Sequence, residues 1–205
     1  MQAIVRSRQL DTPYVSEVTS TLFTEAGETL LQPDGCWDFA FLRRGTAMTA
    51  LRTGQTTRPV IYVHQPGDET LAIKFRASSF MPLMPGEVMR DEGVVLELFG
   101  QRDFWLGPQV REIPTLENAD VFIDHLVHER LVESNDVVAS VVEGHPRAMS
   151  DRTLQRHFLK TTGLTYKSFT MIERARSEIS VQLASRPLDN AARIATASSL
   201  IALTN

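Results

Sequence analysis

Four long polar side chains recur on one side of residues 150–162: Arg152, Gln155, Arg156 and Lys160. At about 100° per residue in an α-helix they fall within a sector of roughly 140°, with Leu154 and Phe158 on the other side. Arg can hold a guanine edge through two hydrogen bonds, Gln can do the same for adenine, and Lys suits a phosphate. Ser150 offers an N-cap hydroxyl, Asp151 a negative charge in the first turn, and Gly163 a stop. The chemistry on offer is reading of double-stranded DNA. Arg152, Thr153, Gln155 and Arg156 would lie at or near base edges, Lys160 and Arg147 on phosphates, and Ser150 completes the DNA-binding set. A preceding apolar run from Val137 and the turn Gly144-His145-Pro146-Arg147 complete a helix-turn-helix pattern over about 136–163. A basic helix face that merely meets solvent is the plainer alternative.

Other groupings are thinner. His125 and His128 stand three residues apart beside Glu129, without a third ligand nearby or the order of a His-Glu-x-x-His site, so a solvated helix face is expected. His64 and Asp68 could belong to a barrel-type metal site, but lack the clustered His/Glu set. Cys36 is the single cysteine, which excludes an internal disulfide and a cysteine-based zinc site, and it reads as a small buried hydrophobe. Trp37, Phe39 and Phe41 share one strand face and read as core, with a ligand-pocket wall as the alternative. No nucleophile elbow, Walker loop or dinucleotide fingerprint is present, so no catalytic set, metal or cofactor is expected.

These residues need a scaffold. The 205 residues carry 21 Lys+Arg and 25 Asp+Glu, a formal charge of -4. The average hides a gradient: residues 1–114 sum to -3, 115–144 to -6, and 145–205 to +5. A basic tail behind an acidic middle points to a local polyanion site. The start lacks the apolar run of a secretory signal, and no stretch approaches a membrane span, so a soluble, cytoplasmic protein without membrane contact is expected.

The first half reads as β. Leu71, Ile73 and Phe75 alternate with Ala72, Lys74 and Arg76, and 37–42, 48–52 and 60–64 are further short β-rich runs. Turn signals at 33–35, 44–45, 53–54 and 65–68 separate them, and residues 80–86 read as an apolar crossing loop. Past Pro114 the period becomes helical, with Leu116, Ala119, Phe122, Ile123, Leu126, Val127 and Leu131 on one stripe. The expected fold is α+β: an antiparallel β-rich sheet or small barrel over 1–114, then an all-α helix-turn-helix domain over 115–205.

Met149-Ser150-Asp151-Arg152-Thr153-Leu154-Gln155-Arg156-His157-Phe158, closed by Thr162-Gly163-Leu164-Thr165, resembles the AraC family of bacterial transcription regulators. The resemblance covers about the last 70 residues. It implies two helix-turn-helix units joined by a linker helix, here 166–184, with Phe169, Ile172, Ile179 and Leu183 on one stripe. Leu31-Gln32-Pro33-Asp34-Gly35-Cys36-Trp37-Asp38-Phe39 resembles the β-rich sensor-like domain found ahead of such regulators, implying a small-molecule effector or a dimerisation role. Two departures stand out: Lys74-Phe75-Arg76-Ala77-Ser78 replaces the family's Arg-Phe-x-Pro-Gly segment, and the turn before Ser150 is long.

Residues 186–205 match only the beginning of a second helix-turn-helix, with Thr196-Ala197 where the family has Gly followed by an aromatic. An incomplete recognition helix is marginal in water, so this stretch is expected to be mobile, unusually packed or partner-dependent. A single unit should bind DNA weakly as a monomer, and a homodimer would supply two half-sites. The alternative to a regulator is a ligand-binding or protein-interaction module whose DNA-binding half no longer functions.

Overall fold

Apolar and polar residues alternate along the first half, and a computed structural model, which describes residues 3–145 and 148–184, places strands there. The strands are β1 (Ala3–Arg8), β2 (Val15–Phe23), β3 (Gly27–Leu31), β4 (Trp37–Arg44), β5 (Ala47–Thr53), β6 (Val60–His64), β7 (Glu69–Phe75) and β8 (Ser79–Phe80). The short helix α1 (Gly86–Met89) precedes β9 (Gly93–Leu96), β10 (Leu98–Phe99), β11 (Asp103–Leu106) and β12 (Gln109–Glu112). Then come α2 (Ala119–His128), β13 (Glu133–Ser134), α3 (Asp136–Val142), α4 (Asp151–Thr162) and α5 (Tyr166–Ala184). The fold is mixed α+β, and no helix among the described residues is long and apolar enough to cross a membrane.

The main sheet runs β1-β2-β7-β4-β5-β9. Every neighbouring pair in it is antiparallel. The four strand runs read from the sequence fall on strands, with only Arg76 lying past the end of β7; three are in this sheet and the fourth, β6, is in a ribbon with β3. Gly45 turns the β4–β5 hairpin at φ +60°, a conformation that suits a residue without Cβ.

Both faces of the sheet are covered, so β4 and β7 are buried along most of their length. On one face the β3–β6 ribbon packs Leu31 and Tyr62 against Ala40, Leu51 and Ala72. On the other lie Trp37, Phe39, Phe41, Ile73 and Phe75, met by Phe104 and Leu106 of β11 and by Phe122, Ile123 and Leu126 of α2. Each large side chain buried this way contributes about 1.5 to 3 kcal/mol of transfer free energy.

The second half is therefore not a purely helical unit. The sheet's core runs past Pro114 through α2 to Val132, and β13 pairs with β8 between α2 and α3. The helical stripe at 116–131 was legible, but periodicity does not name the surface that an apolar stripe covers. A smaller cluster of Ala77, Val138, Phe158, Leu164 and Phe169 joins α3, α4 and α5 to the segment after β7.

Candidate nucleic-acid interface

Asn135 sits where the chain leaves β13 and builds the start of the helical cluster. Its Oδ1 accepts from the amides of Val137 (3.1 Å) and Val138 (3.4 Å), capping α3. Its Nδ2 donates to Thr161 Oγ1 at 2.8 Å and lies 3.1 Å from His157 Nδ1, both on α4. Its amide donates to the Ser78 carbonyl at 2.8 Å. The Asn135 side chain thus ties α3 to α4, and its backbone ties both to the residue just ahead of β8.

α4 begins and ends as its sequence dictates. Ser150 is extended, and its Oγ accepts from the Thr153 amide at 3.2 Å, with the Thr153 hydroxyl 3.0 Å away. Gly163 closes the helix in the left-handed region at φ +72° and donates to the Leu159 carbonyl. Thr162 Oγ1 then donates to the Phe158 carbonyl (2.8 Å) and accepts from the Leu164 amide (3.0 Å), so the turn into α5 has its buried polar groups satisfied.

The faces separate as expected. Phe158 is fully buried and Leu154 half-buried against the α3 side, while Arg152, Gln155, Arg156 and Lys160 are all exposed. Among the described residues none of these three cations forms an ion pair, whereas Arg6, Arg8, Arg44 and Arg111 elsewhere all meet carboxylates. Ser150 and Thr153 spend their hydroxyls on the cap, which leaves them near the face rather than on it. The Lys160 ammonium leans back to within 6.0 Å of the Phe80 ring. Residues 143–150 make the connection from α3, with Gly144 at φ +79°, longer than the 3–4-residue turn of a tight helix-turn-helix. Arg147 and residues 186–205 fall outside the described residues.

Sequence reasoning missed Asn135, His157 and Thr161, although an Asn ahead of the Val137-Val138 run is an N-cap signature. It also missed Gly86. The first residue of α1 packs backbone to backbone on the end of α4, and a Cβ there would lie 2.7 Å from the Thr161 carbonyl oxygen.

The aromatic triplet divides. Trp37 and Phe39 are sealed in the core, Trp37 stacked on Phe75 at 4.0 Å with the Arg52 guanidinium 4.3 Å above its ring centroid. Phe41, nearer the hairpin end of β4, reaches the wall of a cleft. His64 is buried, stacks on Phe23 at 4.0 Å and sets Nδ1 3.0 Å from the Glu25 carbonyl oxygen, while Asp68 is held by Arg44 at 2.7 Å. Glu129 pairs with Arg111. Burial pushes the Cys36 thiol up, and Asp34 adds to the effect, so it is a poor nucleophile.

One polar cluster lies inside the sheet. Lys74 pairs with Asp34 at 2.5 Å, and the sheet register sets Asp38 directly opposite Lys74. Asp38 is wholly buried, and among the described residues neither carboxylate oxygen has a hydrogen-bond partner within ordinary geometry. Burial pushes its pKa up to about 8, opposed by Lys74 and reinforced by Asp34. Burial pulls the Lys74 ammonium down, but Asp34, Asp38 and Cys36 outweigh it and hold the ammonium charged.

No family model, curated protein or solved structure matches the chain.

Proposed function

We propose that this chain is a sequence-specific DNA-binding transcription regulator of AraC type, with α4 entering the major groove and the β-rich half serving as a sensor or dimerisation part. The observation that carries the reading is the exposed face of α4, where Arg152, Gln155, Arg156 and Lys160 stand together on a helix anchored by Phe158. Capping by Ser150 and Gly163, and bracing by Asn135, give that face a fixed direction, as groove reading requires. Arg152, Gln155 and Arg156 contact base edges, Lys160 and Arg147 contact phosphates, and the protein acts in the bacterial cytoplasm. Two copies on a twofold site add the phosphate contacts that one helix cannot supply.

The test selects duplexes from a random library with the full chain, then measures fluorescence anisotropy on selected and scrambled sequences over a range of salt. Tighter, salt-sensitive binding to the selected duplex is expected. Equal affinity for both, or none, overturns the reading and leaves a ligand-binding or protein-interaction module in its place.

A further inference from the structure

A cleft of about 190 Å³ opens at the hairpin end of the main sheet, under the segment leading into α2. The strand registers build its floor. Arg6 lies opposite Ser20, Ser20 opposite Leu71, and Leu71 opposite Phe41, so four neighbouring strands contribute one row. A second row sets Arg43 between Glu69 and Met48. The roof is residues 113–117, with Ile113 and Leu116 facing the apolar part of the core. Two ties hold the roof down: Arg6 to Glu117 at 3.0 Å, and Arg8 to Asp120 at 2.8 Å with a further bond to the Glu117 carbonyl.

The two arginines at the cleft differ. Arg6 is committed to Glu117. Arg43 is 3.8 Å from Glu69 and is 57 % exposed. Beyond that long pair through Nε its fork makes no hydrogen bond among the described residues, so it can take a carboxylate bidentately. Behind it the Phe41 ring, Leu71 and Met48 offer apolar wall. The volume lies below the roughly 300 to 1,000 Å³ of sites for drug-sized ligands, which suits a single ring or a short branched chain and excludes a nucleotide.

We propose that this cleft is a binding site for small apolar monocarboxylates, with Arg43 holding the carboxylate and Phe41, Leu71 and Leu116 enclosing the hydrocarbon body. The proposal deepens the regulator reading by naming the class of effector, and rests on that reading only for what binding does to DNA affinity. The roof continues directly into α2, so an occupant that lifts or seats residues 113–117 acts on the element whose far end leads to β13 and α3.

The test titrates the full chain, without DNA, by isothermal calorimetry and ligand-observed NMR with benzoate, phenylacetate and 3-methylbutanoate, against benzyl alcohol and benzylamine. At least one acid should bind, with the alcohol and the amine weaker. Arg43→Gln removes an exposed, long ion pair and should leave the fold intact. It should weaken the acid by about tenfold or more, the loss of one charge-assisted bond pair. Ser20→Phe, which fills the floor and keeps Arg43, should abolish binding as well. Three results overturn the proposal: no acid binding at millimolar concentration, acid binding indifferent to both variants, or benzylamine binding more tightly than benzoate. Anisotropy on the selected duplex with and without the acid is read separately. Acid binding without any DNA binding would sink the regulator reading and leave the site standing.

Discussion

The backbones of Gly86 and Gly163 touch: a side chain on Gly163 would overlap the Gly86 carbonyl, and one on Gly86 would meet the end of α4 at Thr161 and Thr162. The end of α4 is thereby seated against α1 of the β-rich half with no side chain between. Gly163→Ala adds a left-handed strain of about 1 to 2 kcal/mol and an overpacking term of about 1 to 3 kcal/mol. Urea denaturation should show their sum, about 2 to 5 kcal/mol, and Gly45→Ala, where nothing stands within 4 Å, should show the strain alone.

The Pro33-Asp34-Gly35 turn makes a second seat. A Cβ on Gly35, at φ +69°, would lie 2.7 Å from Phe169 Cε2 on α5. Gly35→Ala should push α5 from the sheet, lowering the thermal midpoint and exposing amides of α5 to hydrogen exchange. Phe169→Leu in the same chain should recover part of the loss; additive damage from the two changes would refute the contact as its cause.

Asn135 is asked to do two separable things. Asn135→Ala should cost about 1 to 2 kcal/mol through the lost cap. It also strips the buried Thr161 hydroxyl of its donor. Asn135→Asp keeps the capping oxygen and loses only the bridge to α4, so it should retain most of the stability of α3. Equal losses from both variants, measured by denaturation, would count against the bridge.

Asp38 gives the fold a pH dependence of unusual sign. Its carboxyl titrates near 3.8 when unfolded and at about 8 when folded, because burial penalises the charge. Between those values the folded state holds the extra proton, so stability from this group falls as pH rises from about 4 to about 8, by at most about 1.4 kcal/mol per unit. Asp38→Asn should flatten that decline and be the more stable protein above pH 7. Chemical denaturation at pH 5, 7 and 9 reads it; a wild-type advantage at pH 9 would refute the sign.

On DNA, Arg156→Ala should cost about 1 to 3 kcal/mol on the selected duplex and relax preference at one base. Lys160→Ala should weaken selected and scrambled duplexes alike and flatten the salt slope by about one unit. Equal losses on both duplexes from the Arg156 change would remove it from base reading.

The strands at 37–42, 48–52, 60–64 and 71–76 were legible because alternation and turn residues are local signals, as was α4 with Ser150 and Gly163 at its ends. What escaped depended on distant partners. The helical stripe of Phe122 and Leu126 gave α2 but not its seat on the sheet. Glu133–Ser134 is too short a strand to carry a pattern and exists because Ser79 and Phe80 pair with it. Trp37, Phe39 and Phe41 share a face, yet only Phe41 lies close enough to the hairpin end to reach the cleft. The burial of Asp38 was equally hidden, since the β3–β6 ribbon that helps close the second face is read from other segments.

The seat of α2 also sets a timetable for synthesis. The sheet's core needs Phe122, Leu126 and Val132, and the first strand is tied down through Arg6 to Glu117, 111 positions later. The early strands therefore leave the ribosome with one apolar face uncovered until more than a hundred further residues have followed. Contacts so distant in the chain close slowly, and the interval exposes strand edges to aggregation. Folding of this protein should depend on chaperone supply more steeply than its modest length alone would suggest.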